Sequence, residues 1–164
     1  MQLFVGTWPP PKVQRVLSDY PRSNLAGLRW STPSQWLINI RPLGHVPAAL
    51  VAQLVETLQD ELDGAPRTKA TLESPLHGEW LRSPVSGLEE LQEAVFEVTE
   101  PLVPRTHPHN EWAANLVLAR GRAPKELVAP LSVSWTVTSI CLAKATRSKD
   151  GPGYEDVATI RLGG

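Results

Sequence analysis

The sequence predicts an α+β fold built from two similar halves, and three observations carry that prediction. Segments with period-two apolar alternation, the mark of strands, alternate with segments whose apolar residues recur every three or four positions, the mark of helices. In each half of the chain a helix follows strands. Two short apolar strands, "WLINIRPLG" and "ANLVLARGR", hold similar places in the two halves, and each runs into an Arg and a Gly. At 164 residues the chain suits a single domain, 1–164, with a sizeable core.

In chain order, "QLFVGTW" reads as a strand closed by the prolines at 9–11. "KVQRVLSDY" carries Val13, Val16, Leu17 and Tyr20 at helical spacing. "LRWST" and "WLINIRPLG" are strands separated by Pro33. The clearest helix is "PAALVAQLVETLQDELDG", with Pro47 in its first turn, Leu50, Leu54, Leu58 and Leu62 in one stripe, and Gly64 as a stop. "TKATLES" and "EWLRSPV" are short strands on either side of "PLHG". A second long helix, "LEELQEAVFEVTEPLV", puts Leu88, Leu91, Val95, Val98 and Leu102 on one side. The loop "PRTHPHNEW" leads into the strand "AANLVLARGR", and "APKELVAPL" gives a short helix. "VSWTVTSICLAKAT" and "YEDVATIRLGG" close the chain as a hairpin around "KDGPG".

The strand of Ser34–Gly44 has an unusual second face. Trp36, Ile38 and Ile40 point one way, as a core face should, while Leu37, Asn39 and Arg41 point the other way. In the second strand Leu116 and Leu118 face the core, and Asn115 and Val117 face outward or into a cleft. Arg120 falls on the other parity, which predicts a surface role. The two strands are expected to form opposite walls of one groove.

Composition excludes several classes. Sixteen Lys+Arg against 17 Asp+Glu leave a net charge of −1, which argues against strong nonspecific nucleic-acid binding. Cys141 is the only cysteine, so no internal disulfide forms, and its context "VTSICLAK" reads as a buried strand. "MQLFVGTW" has no basic leader and no long apolar run, and no segment reaches transmembrane length. The expectation is a reduced cytoplasmic protein without membrane contact. His107 and His109 stand as a lone His-x-His in a proline-rich loop, which reads as solvated loop, so neither a metal site nor a cofactor is predicted.

The framing residues Arg29-Trp30, Pro33, Gln35, Arg41, Leu43-Gly44 and Leu118-Ala119-Arg120 together resemble the 2H phosphoesterases. The resemblance is to the bacterial RNA 2′,3′-cyclic phosphodiesterases, also called the 2′-5′ RNA ligase family. It runs nearly end to end, from "LFVGTWPPPKVQRVL" to "VTSICLAKATRSKDGPGYEDVATIRL". It implies two similar lobes of antiparallel sheet, helices outside, around a central groove. It also implies a His and a Thr or Ser, two residues apart, on each of two groove strands. One His acts as base and the other as acid across a cyclic phosphate, a pairing that needs two groups titrating near neutral pH. The hydroxyls hold phosphate oxygens.

At those four positions this chain carries Leu37, Asn39, Asn115 and Val117. No shift of register restores a histidine. His45, His77, His107 and His109 lack a hydroxyl two residues along on a strand, and a one-residue slip turns Ile38 and Ile40 away from the core.

Three functions are open on this reading. The first is a degenerate member whose groove binds a small ligand of mixed polarity, or a partner segment, through Leu37, Asn39, Arg41, Asn115, Val117 and Trp112. Arg41 would hold an acidic group bidentately. Trp112, Trp8 and Trp30 would line a pocket, whereas Trp36 and Trp135 belong to the core. The second is an enzyme of different chemistry, with Asn39 and Asn115 as oxyanion donors and Glu79, Glu111 or His45 moving a proton. The third is retained RNA phosphodiesterase activity. The terminal "RLGG" is read as a frayed end.

Overall fold

The structure is a computed structural model, and it describes residues 1–22, 24, 27–104, 113–149 and 151–163. Nine strands and three helices follow one another in it. They are β1 (Gln2–Thr7), α1 (Pro11–Asp19), β2 (Arg29–Trp30), β3 (Ile38–His45), α2 (Ala48–Leu62), β4 (Thr68–Leu72), β5 (Gly78–Ser86), α3 (Glu89–Thr99), β6 (Asn115–Ala123), β7 (Val133–Val137), β8 (Ser139–Ser148) and β9 (Gly151–Arg161).

Every ladder between these strands is antiparallel, and the order across the sheet is β7-β4-β5-β6-β3-β1-β8-β9, with β2 added on β6. The order reads as two lobes meeting at the centre. One is β3-β1-β8-β9 and the other is β6-β5-β4-β7. The sheet curls into a half-barrel, as expected of the predicted fold.

The helices form where the apolar spacing placed them. Leu54, Leu58 and Leu62 of α2, Leu91 and Val95 of α3, and Val13 and Leu17 of α1 all enter one core with Trp36, Ile38, Ile40, Leu116 and Leu118. α3 stops at Thr99, earlier than its apolar stripe suggested: Glu100 is still helical, but Pro101 has no N–H to continue the ladder. Tyr20 closes α1 onto the far lobe: its hydroxyl donates to the Ala129 carbonyl at 3.1 Å and accepts from the Ala129 amide at 2.8 Å. The segment "APKELVAPL" is a single 3-10 turn, Lys125–Leu127.

One strand expected to be continuous is two. β7 pairs with β4 in the second lobe, and β8 pairs with β1 and β9 in the first, with the break at Thr138. The chain crosses between lobes inside an unbroken run of good strand formers. Trp135, Val137, Ile140 and Leu142 all enter the same core.

The sheet face away from the helices is the groove face. It carries a small separate cluster in which Leu37, Cys141 and Ala143 are buried and Phe4, Trp8 and Tyr154 pack against them. Among the described residues no helix is long and apolar enough to cross a membrane.

Candidate functional site

A single lateral row of paired residues runs across the centre of the groove face. Cys141 on β8 pairs with Gly6 on β1, Gly6 with Asn39 on β3, Asn39 with Asn115 on β6, and Asn115 with Pro84 on β5. Neighbours in such a row are about 4.8 Å apart and share a face. β3 and β6 are therefore adjacent strands of the groove floor, joined at Asn39–Asn115, and not the opposite walls that the sequence suggested.

Bulges on both central strands decide which side chains reach this face. On β3, Asn39 pairs with Gly6 but Arg41 pairs with Val5, so Ile40 is an inserted residue. The insertion turns Arg41 to the helix side. There it is 3% exposed, donates to Thr99 Oγ1 and to the Val103 carbonyl at 2.6 Å, and lies 4.8 Å from the centre of the Phe96 ring. The expectation that Arg41 offers a cation to the groove is thus corrected: the guanidinium anchors the end of α3.

On β6 the same device works in reverse. Val117 pairs with Arg82 and Ala119 with Leu81, leaving Leu118 inserted. Leu118 and Ala119 both enter the core, and Arg120 returns to the face of Asn115 and Val117. Arg120 pairs with Trp80 on one side and Arg29 on the other. Its guanidinium lies 5.5 Å from the Trp80 ring centre and that of Arg82 lies 4.8 Å from it. In the sequence the mark of this pair is the two-residue spacing of Trp80 and Arg82 in "EWLRSPV", which puts them on one face.

Leu37 is on the groove side but 1% exposed, packed against the ring cluster and over Gly6. It supports the floor and does not line it, a second correction. The rings are ordered by edge contacts: Phe4 and Tyr154 are 5.1 Å apart at 88°, and Trp8 donates from Nε1 to Asp156 Oδ1 at 2.7 Å. Burial first, and Asp156 second, push the Cys141 thiol well above the ordinary thiol range, which disfavours the thiolate.

Asn39 is buried, and Asn115 and Val117 are partly buried. Asn115 Nδ2 donates to the Ala113 carbonyl at 3.0 Å, and this fixes the amide orientation. Its Oδ1 is sealed from solvent and accepts no hydrogen bond among the described residues. Trp112, Glu111, His107 and His109 lie outside the described residues. His45 sits at the far end of β3, 3.4 Å from the amino terminus, and six residues from Asn39. That separation is roughly 20 Å along the strand. Among the described residues no group of three or more His, Cys, Asp or Glu side chains is placed to hold a metal ion.

Solved structures share this architecture. TT0787 of Thermus thermophilus superposes with a TM-score of 0.85 at 19% identity, over 100% of this chain and 99% of that one. The chain has the 2H phosphoesterase fold. Escherichia coli LigT complexed with 3′-AMP matches at a TM-score of 0.80 and 16% identity, over 98% of this chain and 97% of LigT. The ns2 PDE domain of MHV matches at 0.61 and 17% identity, over 87% of this chain and 98% of the domain. At these identities the likeness to the 2H phosphoesterases is one of fold. No protein-family model matches the sequence, and no curated protein does.

Proposed function

We propose that this chain is a degenerate 2H phosphoesterase-like protein whose groove binds a small ligand of mixed polarity without hydrolysing a cyclic phosphate. Leu37, Asn39, Asn115 and Val117 stand, on this reading, where the fold's histidines and hydroxyls belong. Four groups that move protons or hold phosphate have become two apolar side chains and two amides, none of which titrates near neutral pH.

The observation that carries the proposal is the state of Asn115. With its amide nitrogen committed to Ala113, its remaining polar atom is a buried acceptor with no hydrogen bond among the described residues. A buried acceptor left unpaired costs about 1–3 kcal/mol. It calls for an N–H or O–H donor and repels a phosphate oxygen. The same geometry weakens the alternative in which Asn115 polarises a carbonyl, because an oxyanion hole needs donors. Half-buried Val117 supplies apolar contact on the same strand, and the Phe4, Trp8 and Tyr154 rings supply it around Cys141, three strands across the same row. A cytoplasmic location and a lack of strong nucleic-acid affinity belong to the same proposal.

The test is equilibrium binding followed by tryptophan fluorescence, with a library of small neutral compounds and with short RNAs. A compound bearing N–H or O–H donors should bind, and Asn115→Leu and Val117→Asp should each weaken it at least tenfold while Lys12→Ala does not. Binding of RNA alone, unchanged in Asn115→Leu, overturns the proposal.

A further inference from the structure

We propose that Trp80, Arg82, Arg120 and Arg29 form a subsite for a small, multiply charged oxyanion at one end of the groove face. It runs along β5 and β6 from Arg82, opposite Val117 and roughly 7 Å from Asn115 along the strand, to Arg120, roughly 13–16 Å from Asn115. This inference goes beyond the reading of the groove centre and does not depend on it.

The register builds the subsite. Arg29, Arg120 and Trp80 are consecutive members of one lateral row across β2, β6 and β5. Arg82 is two residues past Trp80, on the same face, opposite Val117. Two guanidiniums, those of Arg82 and Arg120, therefore lie on one indole that is itself 39% exposed, and Arg29 follows Arg120 in the row. The bulge at Leu118 is what adds Arg120 to the set; without it that side chain would point to the core side.

The charges are uncompensated. Among the described residues none of Arg29, Arg82 and Arg120 makes an ion pair or a side-chain hydrogen bond, and neighbouring Glu79 is exposed and pairs with none of them. In a chain of net charge −1 this is local segregation of cations and not general basicity.

The indole explains why the arginines are usable. Guanidiniums of Arg82 and Arg120, 4.8 and 5.5 Å from the ring centre, spend the ring's faces and keep their N–H edges for bidentate bonds to oxygen. Trp80 is then a positioning residue, which lowers the entropy lost when two long side chains are fixed on an anion. Three cations fit two or three negative charges. A monocarboxylate would leave most of the set unmet. Polyphosphates and polycarboxylates share this chemistry, and the probes below separate them.

The test is calorimetric titration of the full chain with acetate, inorganic pyrophosphate and citrate at low ionic strength. Pyrophosphate or citrate should bind at least tenfold more tightly than acetate, and the tighter of the two names the source. Arg29→Gln and Arg82→Gln should each weaken that binding roughly tenfold or more, since a charge-assisted bond is lost. Trp80→Leu should weaken it too and Trp80→Phe should restore it, with melting temperatures unchanged and Lys12→Gln without effect. If acetate binds equally, if neither polyanion binds, or if the arginine variants are silent, the assignment fails. An RNA oligonucleotide binding a hundredfold more tightly than either small anion would also overturn it.

Discussion

Asn39 and Asn115 lie directly opposite one another in the β3–β6 ladder, at the seam where the two lobes of the sheet meet. Each lobe brings one amide to the same point of the groove floor. On the proposed function this is the point that acid–base chemistry would need, and amides cannot supply it.

Gly6 stands beside Asn39 in the same row, and no side chain fits there. A Cβ on it would meet the Ile38 carbonyl oxygen at 2.6 Å and Leu37 Cγ at 2.9 Å. Gly6→Ala should cost about 1–3 kcal/mol through overpacking. Adding Leu37→Ala should recover only part of that, because the backbone contact remains. Urea-unfolding midpoints of the single and double variants check both statements.

Arg41 should matter to stability and not to binding. Arg41→Met leaves Thr99 and the Val103 carbonyl without a buried donor, at about 1–3 kcal/mol for each acceptor left unmet. Its melting temperature should fall, while any ligand bound at the groove keeps its affinity after correction for the unfolded fraction. Loss of binding at unchanged stability would return Arg41 to the groove.

Cys141 should be unreactive in the folded chain at pH 8 and react at the free-thiol rate once denatured, as a thiol-disulfide reagent would show. Its folded pKa is raised, so the sign of the pH effect is fixed. Below an unfolded thiol pKa of about 8.5 both states are protonated and this group adds no pH dependence. Above it the unfolded state ionises first, so stability falls as pH rises from there. Cys141→Ala should remove that part of the decline, measured as the difference between wild type and variant at pH 7 and pH 10.

Much of the fold was legible because it rests on periodicity. The leucine stripe of α2 enters the core as its spacing placed it, and so do Trp36, Ile38 and Ile40, although the strand begins only at Ile38, after a 3-10 turn over Pro33–Gln35. The site was legible only in part. Asn39, Asn115 and Val117 follow from period two, but the bulges at Ile40 and Leu118 insert a residue with no Gly or Pro to mark it. Each insertion reverses the faces beyond it, which is why Arg41 and Arg120 exchange the roles that simple alternation assigns. The division of β7 from β8 was hidden for a related reason. Val133–Ala145 is strand-forming throughout, and only the pairing partners differ between its halves.

The most direct test of the account is incubation of the full chain with 2′,3′-cyclic nucleotides, with product followed by chromatography. Losing acid and base costs about 10²–10⁴-fold for each role. Tagged and untagged preparations should therefore release no more nucleoside monophosphate than buffer does. Turnover near an ordinary enzymatic rate of about 10 per second, abolished by Asn39→Ala with Asn115→Ala, would contradict it.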